Sequence, residues 1–348
     1  MKRTETDGGE TEAQMAVEVT ADVEITRLDW AKQFIDEAIL APVRIIWSDW
    51  RARVGTLIIL LYLFMGTAAT LLVETPHSNQ GPAMLMPFQD LTHPLGTDGL
   101  GQDMLGLIVH ATPNMLRMIL AGGVFTVAMA TVIGLFSGYK GGFFDRVMMT
   151  ITDITMTIPG LPLIIVLAAI LEPENPYLIG IVLTINAWAG LARALRSQVL
   201  TLRDEEYVEA SRAMGIPTRT IVYEDILPNL MPYIMVNFVA AARGVIFGSV
   251  ALYFLGILPF SNLNWGVTMN LAYETGGALY ALQSAHWLFI PMGAVVLLSF
   301  GLILFSQGMD RVFNPRVRAR HAKFTGGEDS EPPAGVSSTR TTSDKTQP

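Results

Sequence analysis

From Met118 to Gly138 the chain reads MILAGGVFTVAMATVIGLFSG, an apolar run without one ionisable side chain, bounded by Arg117 on one side and by Tyr139-Lys140 on the other. A membrane's hydrocarbon layer is about 30 Å thick and a helix rises about 1.5 Å per residue, so about 17 to 25 apolar residues make one crossing. Five further stretches reach or approach that length: Val54 to Val73, Ile154 to Leu171, Pro176 to Ala192, Met231 to Ile257 and Trp287 to Gly308. The expected fold is therefore an all-α membrane protein with six transmembrane helices. Pro159 and Pro162 interrupt the third stretch and the fourth is short, so the ends of these two spans are movable.

Composition agrees with this reading. The 348 residues are 51% hydrophobic and 16% charged, with a mean hydropathy of +0.41, which is more apolar surface than one soluble core buries. The net charge of −8 comes largely from an amino-terminal cluster, Glu5, Asp7, Glu10, Glu12, Glu18, Asp22 and Glu24, which reads as a solvated tail over residues 1–24. The absence of cysteine excludes disulfides, thiolate nucleophiles, iron–sulfur clusters and Cys-based zinc sites. No cleavable leader pattern precedes the first apolar stretch, so that stretch is expected to direct insertion itself.

Cations set the orientation, because Lys and Arg near span ends are retained on the cytoplasmic side. Arg44, Arg51 and Arg53 precede span 1, and Lys140 and Arg146 follow span 2. Arg193, Arg196, Arg203, Arg212 and Arg219 lie between spans 4 and 5, and Arg311, Arg316, Arg318, Arg320 and Lys323 follow span 6. The alternate loops, Glu74 to Asn114, Glu172 to Asn175 and Leu258 to His286, contain no Lys or Arg. Both termini are accordingly expected in the cytoplasm, with 74–114 as an external loop. Residues 25–53 mix Trp30, Trp47 and Trp50 with charges and read as an interfacial helix leading into 54–73. A core over 115–312 follows, then a cytoplasmic tail over 313–348 that is expected to be disordered after about 323.

The longest basic loop, within 193–230, holds DEEYVEASRAMGIPTRTIVYEDILP from Asp204 to Pro228. It reads as two short helices: Asp204 as N-cap of the first, Gly215 and Pro217 ending it, Thr218 capping a second that stops near Pro228. Tyr207, Ala210, Ser211 and Met214 share one face at spacings of three and four, where a soluble cytoplasmic partner could dock.

Glu209-Ala210-Ser211, Gly215 and Leu227-Pro228 resemble the EAA loop of binding-protein-dependent ABC importer permeases. Ser211 replaces the pattern's second Ala, and its Ile stands one place late, at Ile226, as in the dipeptide and oligopeptide branch. His93-Pro-Leu-Gly-Thr-Asp98 with Gly101 and Asp103 is similar to the outer loop of the second, C-type permease of peptide importers. Gly141-Gly142 with Asp145, Ile158-Pro159-Gly160, Trp265-Gly266, Ala285-His286-Trp287 and Asn314-Pro315-Arg316 extend the likeness from about Thr92 to Arg318. Gln102 and Gly106-Leu107 depart from it, making the outer loop less basic.

The resemblance implies a channel-forming subunit of an ATP-driven importer, with di- or oligopeptides as the default solute and a nickel chelate or other small solute as alternatives. Implied partners are a second permease, two cytoplasmic ATPase subunits, an external substrate-binding protein and membrane lipid, with no nucleic acid. The chain lacks G-x-x-x-x-G-K-[ST], so no nucleotide cofactor is expected here, ATP is bound by partners, and the chain is not itself an enzyme. Glu209, Ala210, Ser211, Met214, Gly215, Leu227 and Pro228 are the implied ATPase-coupling residues. Arg243, alone in mid-span, reads as a pathway or helix-interface residue. His93, Gly96, Asp98 and Asp103 mark the external loop; with His110 they lack compact zinc-ligand spacing, and no metal is assigned. The rival readings are a self-contained secondary transporter or channel, which would show inverted repeats, and a membrane enzyme, which would need clustered nucleophiles or ligands.

Overall fold

The computed structural model describes residues 41–260 and 263–313. The acidic tail, residues 25–40 of the expected interfacial helix, Asn314-Pro315-Arg316 and the carboxyl tail lie outside the described residues. Among the described residues all regular structure is helical, apart from one β-bridge between Thr97 and Asp103.

Helix α1 (Ala41–Ser48) leads through Asp49, whose carboxylate caps the Arg51 N–H at 2.9 Å, into α2 (Trp50–Gly66) and the single turn α3 (Ala69–Leu72). After an irregular loop, α4 (Met104–Lys140) runs for 37 residues, so the last part of the expected external loop is already helix. Its early start has a local cause: Asp103 accepts the Gly106 N–H at 2.9 Å as N-cap. The chain continues through α5 (Gly142–Thr157), α6 (Gly160–Leu171), α7 (Pro176–Leu183), α8 (Trp188–Leu202) and α9 (Glu206–Ala213). Helix α10 (Thr218–Phe254), α11 (Trp265–Glu274) and α12 (Leu282–Phe313) complete it.

Three helices, α4, α10 and α12, are long and apolar enough to cross a membrane, and the bent pairs α5–α6 and α7–α8 raise the number to five. The bends are 85° and 62°. The first falls at Ile158-Pro159, where the proline ring holds the preceding residue in extended conformation, ψ 123° at Ile158. Helix α2, the core of the expected Val54–Val73 span, is 17 residues long, about 26 Å at one helical rise per residue.

The helices approach through small residues, as membrane helices do when close van der Waals packing replaces the hydrophobic effect. A Cβ on Gly180 of α7 would stand 2.2 Å from the Met118 carbonyl of α4, and one on Gly55 of α2 would stand 2.4 Å from the Phe305 nitrogen of α12. Two cores result. One gathers Tyr62, Met104, Met115, Ile246 and Trp265 around the first half of α4, with the Tyr62 and Trp265 rings edge to face at 5.8 Å. The other gathers Leu135, Leu195, Val199, Val208, Val222 and Ile226 around its last turns.

Two local expectations are corrected. The N-cap of α9 is Glu205, not Asp204, because the chain still turns at Arg203 and Asp204 after α8. The second helix is capped by Pro217, with Thr218 already its first residue, and it does not stop near Pro228 but continues to Phe254. Residues Ile221–Ile226 are π-helical, and this wider turn accommodates a proline that lacks an N–H and would crowd the carbonyl four residues back.

Candidate functional site

The hairpin of α9 and the start of α10 is anchored on one side and bare on the other. Val208 is fully buried and Ser211 is 8% exposed, so α9 sits on the second core through these two residues. Tyr207, Glu209, Ala210 and Met214 are exposed. The sequence pattern places Ser211 on the same face as Tyr207, Ala210 and Met214; the structure turns it inward. The face left open is thus Tyr207, Ala210 and Met214, flanked by Glu209.

Gly215 follows α9 with φ +74°, where L side chains are disfavoured, and a Cβ there would meet nothing within 4 Å. The Gly215 and Ile216 N–H groups bond the Arg212 and Ser211 carbonyls at 3.1 Å each, closing the helix end. Asn229 donates from one amide nitrogen to the Tyr207 hydroxyl at 3.2 Å and the Asp225 carbonyl at 2.7 Å, tying α9 to α10. Partial burial, with Glu205 and Asp225 nearby, pushes the Tyr207 phenol above its ordinary pKa and keeps it neutral. Leu227 is half-buried and Pro228 exposed, while Ile226, the displaced Ile of the pattern, is fully buried in the second core.

Behind the hairpin, Arg196 of α8 grips Asp145 of α5 with two hydrogen bonds of 2.5 Å, and Arg193 pairs with Asp153 of the same helix. These acid–Arg rungs fix α5 against α8. Sequence patterning isolates each acid and each Arg but not their pairing, since they are some forty to fifty residues apart.

The outer loop is built mainly from backbone bonds. Asp98 is 1% exposed and accepts the Leu100 and Gln102 N–H groups at 2.8 Å each; burial pushes its carboxyl above the usual range. Gly96 has φ +78°, and a Cβ there would stand 2.2 Å from the Leu85 carbonyl oxygen. His93 lies 3.4 Å from the Asp103 carboxylate, whereas His110 faces the Val73 carbonyl at 3.0 Å. Of the four candidate ligands, then, only His93 and Asp103 are brought together. His286, which the sequence reading assigns no role, faces the Thr97 carbonyl at 2.9 Å and ties the loop to α12.

Arg243 is partly buried in α10. Among the described residues it makes no ion pair, and its Nε is buried without a hydrogen-bond partner. A cavity of about 320 Å³ where α7 bends into α8 is lined by Thr126, Thr184, Asn237 and the small residues Ala240 and Gly244, and Arg243 is not in its lining.

Residues 130–319 match the family described as binding-protein-dependent transport system inner membrane component. The chain is 31% identical over 275 residues to the oligopeptide transport system permease protein OppC of Bacillus subtilis, covering 78% of this chain and 87% of that one. It is 31% identical over 272 residues to the dipeptide transport system permease protein DppC of the same organism, covering 75% and 81%. It is 29% identical over 306 residues to OppC of Haemophilus influenzae, covering 83% and 96%. A solved chain of the methionine ABC transporter MetNI in inward-facing conformation is 19% identical and aligns with a TM-score of 0.42, over 59% of this chain and 97% of that one.

Proposed function

The chain belongs to the binding-protein-dependent family of ABC importer inner-membrane permeases, a multi-pass membrane protein of its C-type peptide branch, and from that premise we propose that it imports di- or oligopeptides as one of two permeases driven by two cytoplasmic ATPase subunits and fed by an external binding protein. The peptide assignment is supported by relatives named for oligopeptide and dipeptide transport. Six spans with both ends cytoplasmic agree with the cation asymmetry: α2, α4, the pair α5–α6, the pair α7–α8, α10 and α12.

The observation that carries the mechanism is the hairpin, anchored through Val208 and Ser211 while Tyr207, Ala210 and Met214 stay open. An ATPase subunit docks on that open face. When two such subunits close on ATP, the anchored side passes the movement to α8 and α10 together, and the spans exchange inward for outward access. Glu209 and Gly215 shape the dock, and Leu227 with Pro228 joins it to α10. Arg243 meets a partner beyond the described residues, in the pathway or at a helix interface, because a membrane-depth cation needs one.

The test is uptake by the reconstituted assembly with its loaded binding protein. Peptide accumulation should require hydrolysable ATP and stop with ADP alone. Accumulation driven by an ion gradient without ATP hydrolysis would overturn the assignment in favour of a secondary transporter. Binding of a nickel chelate but no peptide by the partner binding protein would overturn the peptide assignment alone.

A further inference from the structure

We propose that a cavity beside the hairpin binds the phosphate-bearing headgroup of an anionic membrane lipid. The cavity, about 710 Å³, lies where α4 ends, between the last turns of α4 and α8 and the beginning of α10. Four cations from different segments line it: Lys140, Arg203, Arg212 and Arg219. Asp204 is the one carboxylate in the lining and lies 3.4 Å from Arg203. The other three cations have no carboxylate within ion-pair distance among the described residues. Arg212 stacks on the Tyr139 ring at 5.7 Å and Lys140 lies over the Phe144 ring at 5.5 Å. Arg203 also donates to the Gly138 carbonyl at 3.0 Å, which satisfies the negative end of α4 at this point and removes a repulsion an anion would meet.

Phe136, Ile216 and Ile221 give the cavity an apolar wall, to which Thr218 adds one hydroxyl. A free phosphate has no use for such a wall, whereas a glycerophosphate with the start of its acyl chains does. The level also fits, since the uncharged run Met118 to Gly138 ends at this cavity, where hydrocarbon gives way to headgroups. Arginine and lysine converging on a phosphate form short charge-assisted bonds. The docking face of α9 is elsewhere: at about 100° per residue, Arg212 projects roughly opposite to Tyr207, Ala210 and Met214. Which leaflet supplies the lipid rests on the orientation proposed above; the headgroup contact does not.

The assembled transporter should be placed in phosphatidylcholine bilayers carrying a trace of photoactivatable phosphatidylglycerol, and crosslinked peptides mapped. Labelling is expected in 136–140 and 203–221. The double variant Lys140→Gln, Arg219→Gln should lower it roughly thirtyfold, for two cations near a membrane surface. Both side chains are exposed and neither donates a hydrogen bond among the described residues, so the variant should fold. Unchanged labelling in the variant, equal labelling by a photoactivatable phosphatidylcholine, or displacement by inorganic phosphate would each overturn the proposal. None of these readouts depends on ATP or on peptide, so the transport reading stands or falls separately.

Discussion

Gly215 has a left-handed φ and open space around its missing side chain, so a substitution there is penalised by the backbone and not by a clash within this chain. Replacement by a β-branched residue costs about 1 kcal/mol or more locally, whereas Asn tolerates this region. Gly215→Val is therefore expected to leave the permease inserted but to abolish solute-stimulated ATP hydrolysis, and Gly215→Asn to retain most of it. Equal loss in both, measured on the reconstituted assembly, would locate the damage in contact with the ATPase instead of in the turn. Asp98 poses a different question, because its buried carboxylate organises the Leu100 and Gln102 N–H groups. Asp98→Asn keeps an acceptor and should preserve the loop, while Asp98→Ala removes the partner of both donors, at about 0.5–1.5 kcal/mol for each bond lost. Limited proteolysis within 74–103 should separate the two variants. The raised carboxyl pKa means that the folded loop holds its proton more tightly than the unfolded chain does. Asp98's contribution to stability is thus fully present below the ordinary carboxylate pKa and falls as pH rises through the interval up to the raised value. Asp98→Asn should abolish that fall.

Between elements, the bidentate pair Arg196–Asp145 is the strongest candidate for holding α5 in its bent position, since Asp145 is only 14% exposed. Arg196→Ala removes a charge-assisted bond of about 1.5–3 kcal/mol and leaves the acid poorly solvated. A lower melting temperature of the purified permease is expected for Arg196→Ala, with partial recovery in the double variant Arg196→Ala, Asp145→Ala; no recovery would show that the two residues act apart. The Asp153–Arg193 pair is half exposed on both sides and should contribute less. The α9–α10 hairpin was legible as an element: the Gly215 turn, a helix start within a residue of Thr218 and the apolar run after Met231 are all local signals. Its end was not, because Pro228 argues for a stop on every local rule, and only packing of Ile221, Val222 and Ile226 into the second core rewards a widened turn that carries the helix through.

For the molecule as a whole, the two bent pairs leave topology open to a direct test, which a chain without cysteine makes simple. If α5–α6 and α7–α8 each cross the membrane, Glu174→Cys lies outside and should react with an impermeant thiol reagent on intact cells, as should Leu91→Cys, while Glu209→Cys should not. If both pairs dip in and return, Glu174→Cys is protected while the other two behave as before, so this one position decides between six crossings and four. The sequence by itself determined that the chain lives in a membrane, where its cations gather and which loop resembles the EAA pattern, because hydropathy, charge and turn chemistry are read over a few consecutive residues. Only the tertiary structure decided that Ser211 faces inward, that Arg196 meets Asp145, that His286 secures the outer loop through Thr97, and that cations from four segments converge on one cavity. Each of these is a contact between segments distant in sequence, and it is fixed by how closely small residues such as Gly55 and Gly180 let the helices approach, which no local signal encodes.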